Sequence, residues 1–131
     1  MLKAIIVDDE PYCCEILAAM LETDCPDVNV VNISGNAQDG LNAIKQYSPD
    51  IVFLDVEMPK MNGFDVLRML AYGGQLYEKR VVILSALTLT NKEKEQMKGA
   101  GVTEILSKPF NPESIERFLG LIAFPTVADK E

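Results

Sequence analysis

Three runs of four residues, Ala4-Ile5-Ile6-Val7, Ile51-Val52-Phe53-Leu54 and Val81-Val82-Ile83-Leu84, contain no polar side chain at all. Neighbouring side chains on a strand point to opposite faces, so a strand made of such a run is apolar on both. It must therefore be covered on both. A parallel sheet sandwiched between helices provides that cover, whereas an antiparallel sheet with one wet face does not. Each run also stops abruptly at a polar residue: Asp8-Asp9-Glu10 after the first, Asp55 after the second, Ser85 after the third. Glu57-Met58-Pro59 then turns the chain away from the middle run, as expected at the end of a central strand.

The segments between these runs read as helices and one weaker strand. Pro11 suits the first turn of a helix whose Ile16, Leu17, Met20 and Leu21 share a face. A turn from Asp24 to Asp27 leads to Val28, Val30, Val31 and Ile33, a partly alternating strand suited to a place near a sheet edge. Asn36 caps a second helix carrying Ala37, Leu41 and Ile44, closed by Ser48-Pro49-Asp50. Beyond the Met58–Gly63 loop, Val66, Leu67 and Leu70 mark a third helix, ended by Gly73-Gly74. Thr90 and Glu93 form a capping-box pattern for a fourth, in which Met97 is nearly the sole core anchor among charged residues. That helix is expected to be the least firmly held. Val102, Ile105 and Leu106 make the last strand, ending at Ser107-Lys108-Pro109, and Asn111-Pro112 opens a fifth helix with Ile115, Phe118, Leu119 and Ile122 inside. Strand and helix alternate five times without a repeat, which predicts an α/β class chain: a doubly wound five-stranded parallel sheet with five helices. One domain is expected over residues 1–123, with 124–131 a C-terminal tail or the start of a linker.

Composition removes several functions. The 131 residues carry a formal charge of −8, leaving no basic surplus to grip a phosphate backbone, so no direct nucleic-acid partner is expected. The apolar runs fall far short of the ~20 residues of a membrane helix, and no cleavage site follows the first strand. Cys13, Cys14 and Cys25 are odd in number and lack metal or redox spacing, so they read as reduced thiols of a cytoplasmic protein. There is no histidine, which excludes a Ser-His-Asp triad and histidine-bound zinc.

In a parallel sheet all strand ends of one sense lie on one edge. Asp8 and Asp9, Asp55, Ser85 and Lys108 therefore converge there: three carboxylates, a hydroxyl and an ammonium. Three close carboxylates repel, and a hard divalent cation such as Mg²⁺, held by carboxylate oxygens, relieves the repulsion. With Lys108 the formal charges then nearly cancel, and the site is ready for a phosphoryl group. Asp55, central in the set, is the natural nucleophile, Lys108 stabilises charge on the phosphoryl oxygens, and Ser85 donates a hydrogen bond to one of them.

The combination Asp8-Asp9-Glu10-Pro11, Phe53-Leu54-Asp55 through Asn62-Gly63, Ser85-Ala86 and Lys108-Pro109-Phe110 resembles the receiver (REC) domain of two-component response regulators, over about residues 3 to 122. The resemblance implies a CheY-like, flavodoxin-like fold of strand order 2-1-3-4-5. It makes Asp55 the phosphoacceptor, assisted by Lys108 and by Ser85 as the switch hydroxyl. It assigns Mg²⁺, for which Mn²⁺ or Ca²⁺ substitutes, to Asp8, Asp9, Asp55 and the main-chain carbonyl of Glu57. Pro109, often preceded by a cis bond in this family, shapes the lysine loop. The implied donor is a sensor histidine kinase or a histidine phosphotransfer protein, and the implied output is a changed surface on the fourth helix, fifth strand and fifth helix, read by a homodimer partner or an output domain C-terminal to this chain. The domain is thus not an enzyme, although it assists its own phosphorylation and dephosphorylation. Ile105 stands where the family usually has an aromatic switch residue, so the output change rests on Ser85 and loop movement. Glu57 and Leu87 occupy positions that tune dephosphorylation.

Two alternatives differ in class. A receiver used only for docking, without phosphorylation, would share the fold. An aspartyl phosphatase of the haloacid-dehalogenase type uses a similar order of Asp, Ser and Lys. It needs a second Asp two residues after the nucleophile, where this chain has Glu57, and an acid pair downstream of the lysine. A flavin-binding flavodoxin is excluded, because Asp8-Asp9-Glu10 would repel its phosphate.

Overall fold

The computed structural model describes residues 2–57, 65, 68, 80–85, 90–99, 102 and 104–108. Five parallel strands, β1 (Leu2–Val7), β2 (Val28–Ser34), β3 (Ile51–Asp55), β4 (Arg80–Ser85) and β5 (Glu104–Ser107), form one sheet in the order β2-β1-β3-β4-β5. The doubly wound order expected from the sequence is thus the one observed. Of the predicted third helix only Asp65 and Arg68 are described, both helical and ion-paired to each other. The Met58–Gly63 loop, Leu87, Pro109 and the fifth helix lie outside the described residues.

The three uninterrupted apolar runs form β1, β3 and β4, and their side chains divide by parity. Ile5, Val7, Val52, Leu54, Val81 and Ile83 pack into one cluster with Ala37, Leu41 and Ile44 of helix α2 (Ala37–Tyr47) and with Met97. Ala4, Ile6, Ile51, Phe53, Val82 and Leu84 pack into the other with Cys14, Leu17 and Leu21 of helix α1 (Pro11–Asp24). Each fully buried Ile, Leu or Phe contributes roughly 1.5–3 kcal/mol relative to exposure, so this two-sided burial is what makes the parallel arrangement stable. Met97 is the buried residue of the Asn91–Gly99 helix, as its charged sequence suggested. That helix opens with the reciprocal cap: Glu93 N–H donates to Thr90 Oγ1 and Thr90 N–H to Glu93 Oε1, both at 3.1 Å. Asn36 caps α2 by accepting from Asp39 N–H at 2.8 Å.

Strand β2 is at the sheet edge, and its register shifts between Ala4 and Ile5, leaving Val31 as an extra residue opposite them. Beyond the bulge Ser34 pairs with Val7, and its carbonyl accepts from Asp8 N–H at 3.0 Å, which anchors the start of the acidic loop.

Helix α2 lies very close to β1. A Cβ placed on Gly40 would sit 2.7 and 2.8 Å from the two methyl carbons of Val7, a buried β-branched side chain with little freedom to withdraw. Gly40→Ala therefore forces the helix off the sheet. We expect a net destabilisation of about 1–3 kcal/mol despite the better helix propensity of alanine, read as a lower midpoint in urea unfolding.

Candidate functional site

The chain leaves β1 to one side for β2 and returns to the other side for β3. The carboxyl ends of these adjacent strands thus flank a crevice at a topological switch point. Asp8 and Asp9 follow β1, Asp55 ends β3, Ser85 ends β4 and Lys108 follows β5. Backbone hydrogen bonds fix these ends to one another: Val56 N–H to Leu84 O at 3.2 Å and Lys108 N–H to Ser85 O at 2.8 Å.

Asp8 and Asp55 are held the same way. Asp8 Oδ1 accepts from Glu10 N–H, and Asp55 Oδ1 from Glu57 N–H, each at 2.9 Å and each two residues on. These local turns orient the carboxylates and leave both Oδ2 atoms facing the crevice. The Lys108 ammonium enters between them, 2.7 Å from Asp8 Oδ2 and 3.4 Å from Asp55 Oδ2, with a further contact at 3.4 Å to Glu10 Oε1. Its side chain is only 7% exposed. One oxygen from each of Asp8, Asp9 and Asp55 lies within 4.8 Å of the others. Asp8, Asp9, Asp55 and Lys108, remote from one another in the sequence, are therefore brought together at this edge.

The electrostatics follow from burial. Asp55 is 1% exposed. Burial pushes its carboxyl from 3.8 up to about 6; the Glu57 amide and Lys108 oppose the rise, and the charge of Asp8 adds to it. Lys108 is affected most by burial, which alone would lower it, but its close ion pair with Asp8 and the charge of Asp55 hold the ammonium above its ordinary range. The Cys14 thiol, beneath the loop and donating to Asp8 O at 3.4 Å, is pushed up to about 11 by burial and by Asp8, which keeps it an inert neutral thiol.

Two features were not legible in the sequence. Lys108 stands closer to Asp8 than to Asp55, with Glu10 at the rim. The Ser85 hydroxyl donates at 2.7 Å to Glu57 Oε1. The sequence points to Glu57 through its main-chain carbonyl and its position beyond Asp55, and nothing in the spacing pairs its carboxylate with a residue 28 positions away.

A hard divalent cation fits this set. The donors are carboxylate oxygens, the oxygen ligands that Mg²⁺ and Ca²⁺ prefer. Moreover, Asp8 Oδ2 is buried without a hydrogen bond: Lys108 is near enough for an ion pair but badly aligned to donate. A buried carboxylate oxygen left without a donor is costly, and a cation in the crevice removes that cost.

A family model of the response regulator receiver domain matches residues 4–119. The chain belongs to the response regulator receiver family. Over 115 residues this receiver domain is 36% identical to a protein-glutamate methylesterase/protein-glutamine glutaminase of Oceanobacillus iheyensis, covering 87% of the chain and 32% of that protein. A protein of the same description from Agrobacterium fabrum is 41% identical over 86 residues, 66% of the chain and 23% of that protein. The receiver thus spans about a quarter to a third of the length of these curated relatives. Among solved structures it resembles the chemotaxis protein CheY4 of Vibrio cholerae, with a TM-score of 0.76 and 26% identity over 91% of this chain and 96% of that one. It shares its fold with the response regulator domain of Thermotoga maritima CheB, with a TM-score of 0.76 and 20% identity over 94% and 92%. Among the described residues, no helix of the receiver is long and apolar enough to cross a membrane.

The raised Asp55 carboxyl makes a stability prediction for the cation-free receiver. The folded state binds this proton more tightly than the unfolded chain, so the stabilisation is complete below 3.8 and is lost as pH rises through about 6. In chelator, wild type should lose stability relative to Asp55→Asn across that interval, by roughly 1–3 kcal/mol. Paired thermal melts at the two ends of the interval check this, and an unchanged difference would contradict it.

Proposed function

We propose that Asp55 accepts a phosphoryl group from the phosphohistidine of a sensor histidine kinase or a histidine phosphotransfer protein. These 131 residues hold no histidine, so a phosphohistidine donor lies outside them. The observation that carries the reading is the meeting of Asp8, Asp9 and Asp55 within 4.8 Å, with Lys108 inserted between Asp8 and Asp55. A merely solvated acidic edge does not bury an ammonium among its carboxylates.

Asp55 Oδ1 is engaged by the Glu57 amide, which leaves Oδ2 as the attacking oxygen. The Oδ2–P bond forms as the P–N bond to the donor imidazole breaks, and the imidazole leaves with the bonding pair. Lys108 stays within reach of the acceptor oxygen and neutralises charge that gathers on the phosphoryl oxygens. The Ser85 hydroxyl donates to one of those oxygens once the group has arrived. Asp8, Asp9, Asp55 and the Glu57 carbonyl would hold Mg²⁺, which offsets negative charge shared between acceptor and phosphoryl group. Displacement of Ser85 then alters the face that includes the Asn91–Gly99 helix and β5, and with it the choice of partner, a second copy or an output domain. Met97 is the buried anchor of that helix, which suits an element that must move.

In this reading the receiver occupies residues 1–123 and 124–131 form its tail or a linker, in a cytoplasmic signalling protein. The methylesterase activity named for the relatives belongs to proteins three to four times as long as the matched part, and it is not carried over. Intact-mass measurement after treatment with acetyl phosphate and Mg²⁺ tests the function: one hydroxylamine-labile phosphoryl adduct is expected. Rapid turnover of generic phosphate esters would instead indicate a phosphatase, and no adduct a docking module.

A further inference from the structure

Ser85 is needed by the incoming phosphoryl group, yet its hydroxyl is already committed. It donates at 2.7 Å to Glu57 Oε1, a charge-assisted bond on a side chain 2% exposed to solvent. Glu57 itself is only half-buried, so its carboxylate can be rehydrated once the serine departs. The Glu57 amide meanwhile holds the acceptor through Asp55 Oδ1 at 2.9 Å. One residue therefore grips the nucleophile with its backbone and the switch hydroxyl with its side chain.

We infer that Glu57 is a positioning residue whose carboxylate latches Ser85 in the unphosphorylated state, so that phosphorylation of Asp55 requires an exchange of the serine's hydrogen bond from Glu57 to the phosphoryl oxygen. The inference rests on Asp55 being the acceptor. The exchange breaks no covalent bond: the serine proton turns from one anionic oxygen to another while Oδ2–P forms and the donor's bond to phosphorus breaks. The latch holds the resting state against spontaneous switching. It does so at the cost of slower phosphorylation and a less favoured phosphorylated state.

Glu57 could also act simply by repelling the phosphoryl group, and the two roles separate in a small set of variants. With acetyl phosphate as the donor and Mg²⁺ present, adduct formation is followed by intact mass in the full chain. Under the latch, Glu57→Ala labels about five- to tenfold faster than wild type, because the loss of a charge-assisted hydrogen bond no longer opposes the exchange. Glu57→Gln keeps an oxygen that accepts from Ser85 and changes the rate by about twofold at most. In a Ser85→Ala background, Glu57→Ala adds nothing, since there is no hydroxyl to release. Repulsion predicts instead that Gln and Ala accelerate equally and that the effect persists without Ser85. That pattern overturns the latch while leaving Asp55 as the acceptor. If wild type takes no label under any of these conditions, the acceptor reading and the latch fall together. Circular dichroism of each variant confirms the fold, so a rate change without a folding change reports on the exchange.

Discussion

Asp55→Asn takes no phosphoryl label from acetyl phosphate in Mg²⁺ while remaining folded. The amide oxygen is a far weaker nucleophile than the carboxylate, and a nitrogen bonded to phosphorus would not give the hydroxylamine-labile acyl phosphate expected of the wild type. The loss should be complete rather than partial. Asp8 Oδ2 is held more closely by Lys108, at 2.7 Å against 3.4 Å for Asp55 Oδ2, and Asp9 belongs to the exposed side of the cluster, so neither is presented as Asp55 Oδ2 is. The same variant should have a higher thermal midpoint than wild type in chelator at neutral pH, because it removes the buried charge whose protonation is displaced to about 6. It should also gain less from added Mg²⁺, having one carboxylate fewer in the cluster. A label that persists at another residue in the Asn variant would relocate the acceptor.

Lys108→Ala separates cation binding from transfer. The ammonium, 7% exposed, is the positive charge facing Asp8 and Asp55 among the described residues. Its removal leaves two buried carboxylates uncompensated, so the cation-free variant should lose about 3 kcal/mol of stability. Added Mg²⁺ should restore most of that loss and bind more tightly than to wild type, since a competing positive charge has gone. Labelling should nevertheless fall by about a hundredfold or more, because no preorganised cation remains beside the acceptor oxygen to meet the transferred charge. Calorimetric titration of Mg²⁺ and intact-mass kinetics, run on the same preparation, give both quantities. Loss of Mg²⁺ binding in parallel with loss of labelling would mean that Lys108 serves the structure of the loop rather than the transfer.

These expectations depend on particular residues differing in how far the sequence announces them. Asp55 is announced strongly: four apolar residues followed by one acid can hardly be anything other than a buried strand delivering a carboxylate to a sheet edge. Asp8, Asp9, Ser85 and Lys108 follow by the same logic, because strand direction is shared in a parallel sheet and the residues after each strand fall at one level. The caps at Asn36 and at Thr90 with Glu93 were equally readable, since a cap is made within four residues of chain. Gly40 gave no sign of its closeness to Val7, and Glu10 none of its contact with Lys108, 98 positions away.

What the amino-acid order determined by itself was therefore everything set by short-range rules: the period of each segment, the class of sheet able to bury unbroken apolar runs, and the edge at which the acids, the hydroxyl and the ammonium must appear. Only the tertiary structure decided who touches whom at that edge. Lys108 sits nearer Asp8 than Asp55, Ser85 is turned to Glu57, and the β2 bulge sets where the Asp8 loop begins. Those contacts are settled by strand register, sheet twist and helix approach at the scale of an ångström, and such distances arise from the packing of segments remote in the chain rather than from any one of them.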